Sequence, residues 1–318
     1  MSLDGAGDVF RSQYPARDPN HTTAGSSPLP QLPADYDDLP RPQNIPHGCT
    51  WGIWDSGVCR DQLGMLNQLT PARKLRAAQE IEHGISVTLN WSMENCPVPQ
   101  AGRKGPQHRI LELDGFVGHD DEVEMNTQGG SQWDGFRHWA YQPTGQFYNG
   151  LSRSEMMKDM SNGQNGIDRW SSEGGGIAGR GVLLDYLTYA QERNIEFSPV
   201  NNHAITTRDL EACASSQGVE FFHGDILLVR TGFVQWHNQA TPEEQARVTG
   251  QGGGWAGVEG SKETLRWFWS KKFAAVGGDA IVFEVWPPLD AEYRLHDHFL
   301  ALWGMPIGEL FDLETLAT

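Results

Sequence analysis

Asp225–Gly232 reads DILLVRTG, four consecutive apolar residues between an aspartate and a Thr-Gly turn signal, the mark of a β-strand. Similar signals recur at RILEL near 110, GVLLDY near 183 and DAIVFEVW near 282. Ile85, Val87, Leu89 and Trp91 alternate in ISVTLNW, the period of a half-buried strand. Helix signals lie between them. Thr70 and Pro71 open one with Leu75, Ala78 and Ile81 as its apolar stripe and Gly84 as its stop. Thr207 is the expected cap of RDLEACASSQG, which Gly218 ends. SKETLRWFWSKKF places Leu265, Phe268 and Trp269 on one face, and RLHDHFLALW ends at Gly304 and Pro306. The strands outnumber the helices without strict alternation, so the expected fold is a layered α/β domain on a mixed sheet, not a doubly wound parallel one. No repeat of fixed period is visible.

The 318 residues include 24 basic and 41 acidic side chains, a net charge of −17, with 38% apolar content. That charge repels phosphate backbones and anionic lipid, so neither nucleic acid nor a membrane surface is an expected partner. No apolar run reaches the roughly 20 residues of a membrane span, and the first residues lack a secretory pattern, so a cytoplasmic location is expected. Cys49, Cys59, Cys96 and Cys213 have no paired spacing and read as reduced thiols. Eight of the 18 prolines fall within residues 1–46, which read as an extended arm or a partly disordered lead before a folded domain over 47–318. The GGG runs at 174–176 and 252–254 read as loops. GIAGRG lacks the phosphate-cradling glycine order, so no nucleotide cofactor is expected.

Chemistry is concentrated in Asn126–Trp139, NTQGGSQWDGFRHW. Gln128, Gln132, Asp134 and His138 share one parity and would point to one side of an extended segment, while Gly129, Gly130 and Gly135 permit close backbone approach. Taken singly, Gln, Asp and Gly are better explained by a polar loop satisfying its own backbone, and it is four polar groups on one parity that weaken this account.

The stretch resembles the signature of the cyclase family, HxGTHxDxPxH, whose members include bacterial kynurenine formamidase and isatin hydrolase. DQLGMLNQLTP, IDRWSSEGGGIAGRGVLLDY, HGDILLVRTGF, AAVGGDAIVFEVWP and LHDHFLALWGMPIGELFDLETLA resemble further blocks in the same order, so the likeness spans about residues 50–317. It implies a layered or barrel-like mixed-sheet core with flanking helices and a homo-oligomer, dimer or tetramer. It places two metal-binding histidines of the family on Gln128 and Gln132, the ligand aspartate on Asp134, the active-site histidine on His138, and a further histidine and glutamate on His296 and Glu309. His296 and His298 would lie about 200° apart on a helix and cannot both face one site; His296 is preferred because it precedes FLALWG as the family's histidine does.

With both imidazoles replaced by amides, the resemblance implies either no metal or a weakly held Mn, Mg or Zn on Gln128, Gln132, Asp134, His296 and Glu309. The expected chemistry is acid/base ring closure or opening of a small carbonyl compound, in secondary metabolism. His138 would move the proton, Asp134 or Glu309 would orient it, and Gln128 and Gln132 would donate to a developing oxyanion. Trp133 and Trp139 would flank a flat substrate. The alternatives are a metal-dependent amidohydrolase and a relative that only binds a small molecule.

Overall fold

The computed structural model describes residues 30–318 apart from 42, 44, 46, 58, 159–163 and 251, and apart from the side chain at 158. Most of the proline-rich arm expected over 1–46 therefore lies outside the described residues. Leu32–Thr318 form one compact unit, within which Tyr36 and Leu39 are buried. Trp269 Nε1 and Lys272 Nζ each donate, at 3.0 Å, to the carbonyls of Pro33 and Ala34. Among the described residues no helix is long and apolar enough to cross a membrane.

Seven strands matter here: β1 (Gln107–Glu112), β2 (His119–Glu124), β3 (Gln132–Asp134), β4 (Gly181–Asp185), β5 (Ile226–Arg230), β6 (Ala275–Gly278) and β7 (Ile307–Glu309). The last five form one mixed sheet in the order β3-β7-β6-β5-β4, parallel except for β3, which runs antiparallel to β7. Helices α1 (Pro71–Ala77), α2 (Thr207–Gln217), α3 (Phe233–Gln239) and α4 (Lys262–Lys271) flank it. β4 and β5 are the runs expected from GVLLDY and DILLVRTG, and the mixed sheet is the expected one. RILEL falls in β1, which pairs only with β2 in a hairpin exposed along its whole length.

Four local expectations change. Ile85–Trp91 forms no regular strand: Asn90 makes a single bridge to Phe311, and Leu89 O accepts from Asp312 N at 2.8 Å. Its alternation serves packing only toward its end, where Trp91 is buried and Leu89 packs against Phe311 and Leu313, while Ile85 is exposed. The strand expected in DAIVFEVW lies just upstream, at Ala275–Gly278. There Gly278 lets the chains close, because a Cβ would come within 2.7 Å of Val229 O. The ladder ends at buried Asp279, whose carboxylate accepts from Thr231 N (2.6 Å), Thr231 Oγ1 (2.9 Å) and Gly232 N (2.7 Å). Thr206, not Thr207, caps α2, in a reciprocal capping box with Asp209. The stripe of α1 does not face the core: the helix is short, and Leu75 and Ile81 are 72% and 73% exposed.

α4 behaves as expected, capped by Ser261 with Leu265, Phe268 and Trp269 buried. RLHDHFLALW becomes a wholly buried π-helical segment, Asp297–Trp303, which Gly304 ends at φ +61°. On β4 and β5, Asp185 and Arg230 are register partners. Arg230 Nη1 meets both Asp185 oxygens (2.9 and 3.1 Å), and its Nε and Nη2 grip Glu314 at 3.0 and 2.6 Å. The C-terminal residues are thereby tied to the sheet.

His237, on α3, lies edge-on to Trp91 at 4.7 Å, and its Nε2 has no hydrogen-bond partner. Burial pulls its pKa down to about 4. The unfolded chain therefore takes up this proton more readily than the native state. Stability from this site is complete above pH 6.5 and falls as the pH drops through 6.5 toward 4, by about 3 kcal/mol in all. Urea unfolding at pH 7 and pH 4 is expected to show an acid loss about 3 kcal/mol larger in the wild type than in His237→Phe. An equal acid loss in the variant contradicts the assignment.

Candidate active site

The site is built on the edge pair β3–β7, where Gln132 lies directly opposite Glu309 and Asp134 opposite Ile307. Alternation along three residues turns Gln132 and Asp134 inward together, as the parity argument requires. Gln128 and His138 arrive differently. Gln128 sits in a one-turn helix that the Asn126 side chain caps at 2.9 Å, and His138 closes a turn whose N–H donates to Gly135 O at 2.8 Å. The opposite wall comes from His296, the residue that immediately precedes the π-helical segment.

These groups converge on Asp134, which is fully buried. Gln128 Nε2 donates to Asp134 Oδ1 at 2.6 Å. Among the described residues Asp134 Oδ2 receives no hydrogen bond, while His138 Nε2 and His296 Nε2 stand 3.8 and 3.6 Å from it. Gln132 Nε2 donates to Glu309 Oε2 at 3.0 Å and to Gln128 Oε1 at 3.4 Å. Glu309 Oε1 accepts from Phe283 N at 3.1 Å and lies 3.5 Å from His296 Nε2. His298 turns away and bonds the Glu292 carbonyl at 3.0 Å.

One residue here was not singled out from sequence. Buried Glu284 accepts from Leu295 N (2.7 Å), His296 N (3.0 Å) and His296 Nδ1 (2.7 Å), so it fixes the ring that presents Nε2 to Asp134. A charged residue inside the apolar run DAIVFEVW was its only signal.

Burial opposes charge on His296, but Asp134, Glu284 and Glu309 outweigh it and hold the imidazole well above its usual pKa. Burial also disfavours charge on Asp134, and contact with the two histidines overrides it, keeping the carboxylate ionised. His138 is lowered, first by burial and then by the charge on His296, against the pull of Asp134. Burial and the Asp134 charge push Glu309 up to about 7.

A cleft of about 730 Å³ opens onto Gln128, Gln132 and His138, with Trp91, Met93, Met125 and Trp133 among its lining. Trp139 is not in that lining. Its Nε1 donates to Asp297 Oδ1 at 2.6 Å and its ring stands edge-on to His296 at 5.4 Å, so it braces the histidine.

Asp134, His138 and His296 each offer a ligand atom, all within 4.8 Å of one another, and this set could hold a metal ion. Two imidazole nitrogens and a carboxylate oxygen with no hydrogen bond are suitable chemistry for a divalent cation. Glu284 on His296 Nδ1 is the outer carboxylate such ligands commonly carry.

The Cyclase family model, described as "Putative cyclase", matches residues 68–285. The chain belongs to the cyclase family. The match includes Asp134, His138 and Glu284, while His296 and Glu309 follow it. A crystal structure described as a novel cyclase superposes with TM-score 0.71 at 27% identity, covering 85% of this chain and 88% of that one. Isatin hydrolase A from Ralstonia solanacearum gives TM-score 0.49 at 14% identity, covering 77% and 86%. A potential metal-dependent hydrolase with cyclase activity gives 0.37 at 17%, covering 72% and 83%. No curated protein matches the chain significantly. The mixed sheet with flanking helices described above is thus the cyclase-family fold.

Proposed function

We propose that this chain is an enzyme that makes or breaks a bond at the carbonyl carbon of a small compound, by ring closure or by hydrolytic opening of an amide or lactone. The observation that carries the reading is the convergence of Asp134, His138, His296 and Glu309 beneath one cleft, in a member of the cyclase family.

His138 is the group that meets the cleft. The Asp134 carboxylate favours the tautomer with the proton on Nε2, which leaves Nδ1 to accept one from water or a substrate hydroxyl. Glu309, close to half-protonated at neutral pH, holds a second exchangeable proton. The amide N–H groups first assigned to an oxyanion are largely committed to Asp134 and Glu309, but an amide nitrogen carries two hydrogens, and the second on Gln128 is available to a carbonyl oxygen in the cleft. Trp133 offers a flat apolar surface to a cyclic or conjugated substrate. A divalent ion on Asp134, His138 and His296 would, when bound, polarise the carbonyl and acidify water.

The two reactions separate in isotopically labelled water. Hydrolytic opening of aryl formamides, lactones or cyclic imides places solvent oxygen in the product; intramolecular closure leaves the product unlabelled. Failure to transform any carbonyl compound in such a panel would remove the enzymatic reading. We also propose assembly as a dimer or tetramer, supported by the exposed Ile110 (66%) and Phe116 (80%) on the β1–β2 hairpin. A monomeric sedimentation coefficient would contradict it.

A further inference from the structure

We propose that the ion centre of this chain has moved within the site: Asp134, His138 and His296 hold a borderline divalent ion such as Zn²⁺ or Co²⁺, and the two motif positions occupied by Gln128 and Gln132 do not. The inference rests on reading this cleft as the reaction centre, but it is measured without substrate.

Three observations carry it. Asp134 Oδ2 is fully buried and receives no hydrogen bond, although a buried carboxylate oxygen ordinarily has a donor. The Nε2 atoms of His138 and His296 lie 3.8 and 3.6 Å from it, close to the separation of about 3.5 Å between ligands placed 2.0–2.2 Å from a shared tetrahedral ion. His296 is also prepared as a ligand: Glu284 engages Nδ1 at 2.7 Å and both adjoining backbone N–H groups, which aims Nε2 at Asp134.

The glutamines meanwhile turn their nitrogens, which cannot ligate, toward Asp134 Oδ1 and Glu309 Oε2 at 2.6 and 3.0 Å; of their oxygens, that of Gln128 accepts from Gln132 Nε2 at 3.4 Å and that of Gln132 is buried with no hydrogen bond among the described residues. They act as neutral donors that hold two carboxylates in place. Replacing two imidazoles by amides thus leaves a two-nitrogen site, recruited from His138 and His296 on either side of the same aspartate. Two imidazoles also change the selectivity. A centre built on glutamine oxygens would suit Mg²⁺ or Ca²⁺, whereas this one suits Zn²⁺ and Co²⁺. In the loaded protein His138 is a ligand and no longer a proton acceptor.

The test is titration of chelator-treated full-length protein with Co²⁺, read by visible absorption and by equilibrium dialysis. One Co²⁺ per chain is expected, displaced by Zn²⁺ and not by millimolar Mg²⁺. His138→Ala and His296→Ala are expected to weaken binding by more than about 100-fold, and Glu284→Gln by about 10- to 100-fold. Gln132→Ala, whose nitrogen bonds Glu309 and no proposed ligand, should change it by less than about tenfold, and Gln128→Ala, which removes a donor from Asp134 Oδ1, by no more than Glu284→Gln. Proton NMR of Co²⁺-loaded wild type, which needs no variant to fold, should show paramagnetically shifted ring protons from two histidines. The proposal is overturned by wild type that binds neither ion at millimolar concentration, by equal competition from Mg²⁺, or by a single shifted histidine. It is also overturned if the glutamine variants lose the ion while His138→Ala keeps it. None of these results bears on turnover, so the enzymatic reading stands or falls separately.

Discussion

His138→Ala is expected to lower turnover of any carbonyl substrate by about 10²- to 10⁴-fold while the protein stays folded. The size follows from position. His138 is the imidazole that meets the cleft, and its Nε2 stands 3.8 Å from a carboxylate buried with no hydrogen bond on the facing oxygen. Removing the ring removes either the proton acceptor or an ion ligand, and no neighbouring side chain replaces it: Gln128 and Gln132 point their nitrogens at carboxylates, and His296 is held from behind by Glu284. The cost to stability is small because the side chain is 23% exposed and sits in a turn, not in the packed core. Steady-state rates on an active substrate, with melting curves alongside, decide the matter. Undiminished turnover would remove His138 from the reaction.

Arg230→Ala carries the largest expected loss of stability, about 3–5 kcal/mol, or roughly 10 °C in Tm. Arg230 is 5% exposed, and its guanidinium is the shared partner of Asp185 and Glu314. Truncation leaves the Asp185 carboxyl group, 8% exposed, without its guanidinium partner at the end of β4. The same group caps the following helix through Thr188 N at 3.0 Å, so it sits in a structurally committed place. Glu314 loses its hold as well, freeing the chain end from the sheet. Urea unfolding at pH 7 measures the difference, and a loss below 1 kcal/mol would show that the triad contributes little.

What sequence could reveal depended on whether a residue's role was local. β4, β5 and α4 were legible because apolar runs and a cap residue determine them within their own segments. β6 was hidden because its AVGG resembles a loop; only the tight approach to Val229 explains glycine in a central strand. Gln132 and Asp134 were legible from alternation, and their meeting with Glu309 followed from the resemblance, not from spacing. Glu284 could not be found, since its meaning arises only when an irregular segment after β6 brings it beneath His296. The angle that kept His296 and His298 from sharing a site assumes an α-helix; His298 lies in a π-helical segment that His296 immediately precedes, yet the two rings still diverge, one to Asp134 and one to the Glu292 carbonyl.

The pairing of β3 with β7 makes the position of the chemistry independent of its identity. Backbone hydrogen bonds, not side chains, deliver residue 132 opposite residue 309 and residue 134 opposite residue 307. Any side chain substituted at 132 is therefore carried to the same point, and imidazole, amide or carboxylate can be exchanged there without redrawing the sheet. A shift of the strand by one residue would do the reverse, turning Trp133 inward and both polar groups out at once. Such an edge strand behaves as a socket: tolerant of what is plugged into it, intolerant of being moved, and open to altered reactivity through single substitutions.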